Sequence, residues 1–137
     1  MSQFVFSADW HYAPSAWGQK RVAIAGDAYY SGRQIVEFCR QHQLPLVLGG
    51  DVFDSRRPDT QTLAEMFRQL TAMQQAGLPV LYIQGQHELA EPPWLSLHPW
   101  PIHLHARTYR LGELLLGGLD YQPAEQLLPA YRQLPDC

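Results

Sequence analysis

Three short apolar runs punctuate the first two thirds of the chain: Phe4-Val5-Phe6-Ser7-Ala8, Leu46-Val47-Leu48-Gly49-Gly50 and Val80-Leu81-Tyr82-Ile83. Each is too short for a helix, and each stops on glycine or on polar residues, so each predicts a buried strand. Between them the pattern changes to helical spacing. A helix is expected to begin between Asp27 and Ser31, either of which can cap it, with Ile35, Phe38 and Cys39 as its apolar face. A second helix, capped by Asp59 or Thr60, carries a stripe of Leu63, Met66, Phe67, Leu70 and Met73, and Gly77 stands where a C-terminal cap glycine belongs. The Met-containing stripe reads as core.

The two units echo each other. Leu44-Pro45 opens one strand and Leu78-Pro79 the next, so a helix–strand–loop unit is used twice. Repeated strand–helix–strand units imply an α/β fold with a mainly parallel sheet and right-handed crossovers. Residues 12–25 are expected to form a long loop in which Val22-Ala23-Ile24 packs locally. Residues 91–101 are expected to be a proline-rich loop pinned by Trp94 and Trp100. After it, Ile102–Leu104 predicts a further strand, Thr108–Leu111 and Leu114–Leu119 a β-hairpin turning at Gly112-Glu113, and Pro123–Leu134 a last amphipathic helix.

Length and composition narrow the class. The 137 residues suit one domain, and 46% hydrophobic with 17% charged residues is a globular composition. No apolar run approaches the roughly 20 residues that cross a bilayer, and no basic n-region precedes the first strand, so no membrane role is expected. Cys39 and Cys137 make no disulfide framework, which fits a reducing, cytoplasmic setting. The net charge of -3 argues against a broad basic surface for nucleic acid, although bound divalent cations would reverse the sign locally. Arg56-Arg57 reads as a solvated loop.

The chemistry gathers at the strand ends. In a parallel sheet, ligands bind beyond the carboxyl ends of the strands. Here those ends carry Asp9-Trp10-His11, Asp51-Val52-Phe53-Asp54 and Gln86-His87-Glu88. Carboxylate and imidazole ligation suits manganese, iron or zinc better than calcium. A carboxylate shared by two such ions sets them roughly 3.5–4 Å apart, the arrangement for in-line displacement at phosphorus.

Asp9-x-His11, Gly50-Asp51-x-x-Asp54 and Gly85-Gln86-His87-Glu88, taken in order, resemble the first three signature motifs of the calcineurin-like metallophosphoesterases. The wording around them is most similar to the SbcD-type DNA-repair nuclease subunits, which pair with a coiled-coil ATPase. The resemblance runs to about Tyr121. It implies a metallophosphoesterase-like sandwich fold, two divalent metals, manganese foremost, and DNA as substrate, with a coiled-coil ATPase or a second copy as partner. It also implies that Asp9 and His11 hold the first metal, that Asp51 bridges both and that Gln86 takes the second-metal position. His87 would be the catalytic acid or transition-state stabiliser, with Asp54 and Glu88 orienting the ligands.

The chain departs from that pattern in two places. Gln86 stands where the family has asparagine; its extra methylene shifts the amide oxygen by about 1 Å, which can cost about 100-fold. The family's later lone His and Gly-His-x-His do not occur. His103-Leu104-His105 imitates the latter without its glycine and reads as ordinary strand. The chain is therefore expected to be one domain, residues 1–137, and an N-terminal part of a longer protein. A phosphatase or cyclic-nucleotide phosphodiesterase of the same fold, and a non-catalytic assembly module, are the competing readings. Of the remaining candidates, Gly26-Asp27 reads as a helix cap, His42 as a helix-end cation and His98 as a loop residue. Trp10 is either a base-stacking platform or a wedge behind the metal loop.

Overall fold

In a computed structural model, which describes residues 3–14 and 27–135, the chain is an α/β protein with one four-stranded parallel sheet and a separate antiparallel hairpin. The sheet contains β1 (Val5–Ser7), β2 (Leu46–Leu48), β3 (Val80–Tyr82) and β4 (Ile102–His103), hydrogen-bonded in that order. Register is set by Phe6 opposite Val47 and Val47 opposite Leu81. Because each crossover steps the same way along the sheet, right-handed connections place their helices on one face. Accordingly α1 (Asp27–His42) and α2 (Thr60–Gln75) pack on each other.

β2 and β3 are buried at every position. Such continuous Val/Leu runs, unalternated, are what strands covered on both faces require. Burying each of these side chains stabilises the fold by about 1.5–3 kcal/mol. β1 differs: it lies at the sheet edge, and Phe6 is 64% exposed although its run predicts a buried strand. Its ring lies over Gly49, where a Cβ would come within 2.5 Å of it.

The helix ends follow their sequence signals. Asp59 caps α2, its Oδ1 accepting from the Thr62 N–H at 2.7 Å. At the other end Gly77 takes φ 68°, while the Leu78 N–H reaches the Met73 carbonyl and the Gly77 N–H that of Gln74. This paired closure satisfies carbonyls the helix would otherwise leave open. The α2 stripe is core as expected, with Met66, Leu70 and Met73 buried and Leu63 and Phe67 half-buried. In α1 the buried face is Tyr29, Val36 and Cys39 with Ile35 half-buried beside them, so of the expected Ile35, Phe38 and Cys39 only Phe38 turns outward. Phe38 is 49% exposed and packs at a tilt against His42, its ring centroid 4.2 Å away. Ser31 lies inside α1, so it does not start the helix. Gly26 and the Val22-Ala23-Ile24 segment lie outside the described residues.

Periodicity missed one polar link. Glu65 is buried on α2, and it accepts from Arg33 of α1 and from Arg68. Beside it the Tyr29 and Thr62 hydroxyls are bonded at 2.6 Å.

The proline-rich loop is pinned as expected: Trp94 Nε1 donates to the Arg56 carbonyl and Trp100 Nε1 to that of Leu78, both at 2.8 Å. A 3-10 turn, Trp94–Leu97, lies between them. His98 is more than a loop residue. It is buried, accepts the Trp100 N–H on Nδ1 at 3.1 Å, and joins the Thr71 hydroxyl through Nε2 at 3.0 Å. β5 (Arg107–Leu111) and β6 (Leu114–Gly118) form the hairpin, turning at Gly112 with φ 60°. α3 (Ala124–Arg132) follows with no buried residue; Leu127, Leu128 and Tyr131 are exposed. Among the described residues, no helix is long and apolar enough to cross a membrane.

Candidate metal centre

The loops leaving β1 and β2 stay zipped together after the regular strands end. The Asp9 N–H donates to the Gly50 carbonyl, that of His11 to Asp51, that of Tyr12 to Val52, and that of Asp54 back to Tyr12. This pairing requires an unusual backbone. Asp9, His11 and Asp51 have φ of 57°, 48° and 52°, the left-handed region that side chains with a Cβ enter at a cost of about 1–3 kcal/mol. They are three of five non-glycine residues with positive φ among those described. Each turn re-aims a side chain that the sequence marks as a ligand.

Glycines make the close approach possible. Gly50 takes φ 101°, and Gly85 passes so near Asp51 that a Cβ on it would lie 2.1 Å from Asp51 Oδ1. The β3 loop thereby closes onto the carboxylate. The His87 N–H donates to Asp51 Oδ1 at 2.9 Å, and His87 Nδ1 pairs with Asp51 Oδ2 at 3.0 Å. Burial pushes the Asp51 carboxyl up, but the hydrogen bonds and charge of His87, with the nearby His11, outweigh it and leave the group below its usual range. The same bond, with the Asp51 charge, raises the His87 imidazole.

One ligand-competent atom each from His11, Asp51 and His87 lies within 4.8 Å of the others, and the His11 and His87 rings meet edge-on at 5.2 Å. His11 Nδ1 pairs with Asp54 Oδ1 at 2.9 Å, and its Nε2 faces Asp9, whose Oδ1 lies 3.8 Å away. The His11 imidazole and the Asp51 carboxylate make a donor pair that suits a borderline divalent cation, and His87 stands against it through its bond to Asp51. Asp9 is brought to the rim of this group, not into its centre. Gln86 is exposed on the loop beside His87.

Glu88 is the buried strut beneath. Its Oε2 accepts from the Phe53 N–H at 2.9 Å and its Oε1 from Gly85 at 3.2 Å, so one carboxylate ties the β2 loop to the β3 loop. Burial holds its carboxyl above the ordinary range despite those bonds. Trp10 is buried, donates Nε1 to the Ser7 hydroxyl at 2.7 Å and packs on Tyr12; it is the wedge, and its face is not offered to a base.

Sequence reasoning passed over a second polar cluster. Asp120, just after β6, is buried, with Oδ1 accepting the Gln84 N–H at 2.7 Å and Oδ2 the Gln84 amide at 3.0 Å. His103 Nε2 lies 2.8 Å from Asp120 Oδ2, and His105 Nδ1 accepts the Asp120 N–H at 2.9 Å. Gln84 Oε1 in turn accepts the Ala90 N–H at 3.0 Å, closing the base of the loop that carries His87. The only signal available was two polar residues immediately following strands.

No family model matches the chain. Two curated proteins are similar to it at low identity. The DNA double-strand break repair protein Mre11 of Sulfurisphaera tokodaii is 23% identical over 108 residues, covering 71% of this chain and 28% of that protein. The SbcD component of nuclease SbcCD from Bacillus subtilis is 28% identical over 142 residues, covering 92% of this chain and 35% of that protein. The chain thus spans about a third of the length of these relatives.

Proposed function

We propose that the chain carries the metal-site residues of a phosphoesterase that hydrolyses phosphodiesters in DNA. The observation that supports this most is the convergence of His11, Asp51 and His87 at the carboxyl edge of the parallel sheet, held by left-handed turns at Asp9, His11 and Asp51. The names of the two relatives, a break-repair protein and a nuclease component, favour DNA as substrate and assembly with another subunit, for which a coiled-coil ATPase or a second copy is the candidate.

Asp9 and His11 would hold one divalent ion, Asp51 would lie between two, and Gln86 would offer its amide oxygen to the second; manganese is the first choice. Such ions supply charge neutralisation at phosphorus and an activated water. The protein's own part is positional. Asp54 holds the His11 ring through Nδ1, and Glu88 keeps the β2 and β3 loops in register. His87 has Nδ1 committed to Asp51 and so keeps Nε2 for the leaving oxygen, where a raised imidazole favours donating a proton.

The test is hydrolysis of bis(p-nitrophenyl) phosphate, p-nitrophenyl phosphate and linear DNA across a manganese titration. Turnover of the diester and of DNA, lost in His87→Ala, is expected. Preference for the monoester would favour a phosphatase, and no manganese-dependent turnover of any substrate would favour a non-catalytic assembly role.

A further inference from the structure

Behind the loop that carries His87 lies an open groove of about 570 Å³, lined by Gln84, Leu89, Glu91, His103, His105 and Tyr121 among others. Three aromatic rings lead into it from the core. Tyr82 and His103 stack with centroids 4.9 Å apart and planes 8° from parallel, and His103 and His105 continue the stack at 5.8 Å and 22°. Exposure rises along the series: Tyr82 is 1% exposed, and the His103 and His105 side chains are 27% and 38% exposed. The ladder is therefore anchored in the core and ends on a ring that solvent reaches. Tyr121, also exposed, borders the same space.

The polar atoms show what this groove does not hold. Both Asp120 oxygens are taken by Gln84 and His103, and His105 Nδ1 is taken by the Asp120 N–H. Among the described residues the clustered metal-competent atoms are those of His11, Asp51 and His87, so these histidines do not form a second such group. The lining carries the carboxylates of Glu91 and Asp120 and no lysine or arginine, which disfavours a phosphate. A flat, neutral ring with polar edges suits it. Stacking of bases on exposed aromatic rings is one part of how single-stranded nucleic acid is held without sequence readout, a basic track along the backbone being the other, and this groove offers the first.

We propose that this groove is a nucleobase subsite. In it, a base of the strand whose phosphodiester lies at the candidate metal centre stacks on His105, with Glu91 and Gln122 at its polar edge. The proposal rests on the nuclease reading above. The Gln84–Ala90 segment forms one wall of the groove and also carries His87, so a strand entering the metal centre has a path to it.

Two substitutions separate stacking from structure. His105→Asn keeps an acceptor for the Asp120 N–H and removes the ring; His105→Phe keeps the ring and removes the acceptor. Binding is read as quenching of 2-aminopurine, placed in a short single-stranded oligonucleotide or supplied as the free deoxynucleoside monophosphate. The expected result is quenching by the wild-type chain and by His105→Phe, with affinity for the oligonucleotide roughly tenfold or more weaker in His105→Asn. Equal affinity in His105→Asn and wild type, or no quenching by wild type, would overturn the subsite. Equal affinity for the free nucleotide and the oligonucleotide would overturn the strand assignment. Hydrolysis of bis(p-nitrophenyl) phosphate by the wild-type chain is measured beside the quenching as the readout of the metal centre. If wild type hydrolyses that ester without quenching, the subsite alone fails; if it quenches without hydrolysing any ester, the nuclease reading fails.

Discussion

The backbone N–H of Phe53 donates to Oε2 of Glu88 across 2.9 Å, joining two loops that are 35 residues apart in sequence. The other oxygen of the same carboxylate accepts from Gly85, so Glu88 satisfies donors on both sides of the Asp51 turn. Glu88→Gln leaves one acceptor for two donors and turns an NH₂ group toward a backbone N–H. The substitution also relieves a buried charge, since burial already holds this carboxyl high. The two effects oppose, and a net loss of about 1 kcal/mol is expected. Glu88→Ala orphans both donors and is expected to cost about 2–4 kcal/mol. Denaturant midpoints at neutral pH measure both; equal midpoints for Ala and wild type would show that the strut carries no stability.

Gly85→Ala tests the approach on the other side of Asp51. The new methyl would lie 2.1 Å from Asp51 Oδ1, and the Gly85 backbone has no room to retreat while its N–H stays on Glu88. Asp51 must rotate away from the His87 N–H or the loop must lift. Manganese affinity, followed by isothermal titration or by paramagnetic broadening of histidine signals, is expected to fall at least about tenfold, as a displacement near 1 Å does where function depends on position. Affinity equal to wild type would mean that Asp51 is not where the ion binds.

The elements were legible wherever a local rule governed them. Gly77 ends α2 in a left-handed turn because no side chain competes there, and Met66, Leu70 and Met73 are buried because their spacing leaves one face to bury. Phe6 and Phe38 were misjudged for a shared reason: hydrophobicity marks a side chain as able to pack, while sheet edge and helix rotation decide whether a partner exists. The candidate ligands were legible from their order after strands. The left-handed turns that aim Asp9, His11 and Asp51 were not, because they arise from hydrogen bonds between loops about 40 residues apart. Asp120 was missed for the same reason. Its partners Gln84, His103 and His105 meet it only after the hairpin folds back, and no spacing encodes that meeting.

Acid is expected to loosen the molecule in two separable windows. His98 has both ring nitrogens engaged and is held below its usual value of 6.5 by burial. A depressed histidine gives its full stability above the unfolded value, and that stability is lost as pH falls from there through the folded value. The proline-rich loop around Trp94 and Trp100 should therefore loosen first, seen as a change in tryptophan fluorescence below about pH 6.5. Glu65 is held below 4.5 by its bond to Arg33, against the cost of burial, so its contribution is present above 4.5 and is lost only at lower pH. His98→Gln should remove the first change and leave the second. Arg33→Met should shift the second upward in pH and lower stability at neutral pH by about 1–3 kcal/mol, because the buried Glu65 keeps only Arg68 as a charged partner, beside the neutral amide of Gln69.

Gln86→Asn and His87→Ala together decide whether the metal centre works as a two-ion site. Gln86 is exposed on the turn that binds His87 to Asp51, and its extra methylene carries the amide oxygen about 1 Å beyond the reach of an asparagine. If that oxygen is a ligand and the turn has not adjusted, Gln86→Asn is expected to tighten the second manganese step and raise diester turnover about 10- to 100-fold. If the turn has adjusted, asparagine falls short, and affinity and turnover both drop. Unchanged affinity would mean that residue 86 does not touch the ion. His87→Ala separates ligation from acid catalysis in the same titration. Loss of a ligand weakens manganese binding itself, whereas loss of a proton donor spares binding and lowers turnover by about 100-fold or more. The second outcome is expected, because Nδ1 of His87 is already committed to Asp51 and Nε2 is the nitrogen left for substrate. The deficit should also shrink for esters with better leaving groups, which need the proton less. A deficit independent of the leaving group would instead assign His87 to holding Asp51 in place.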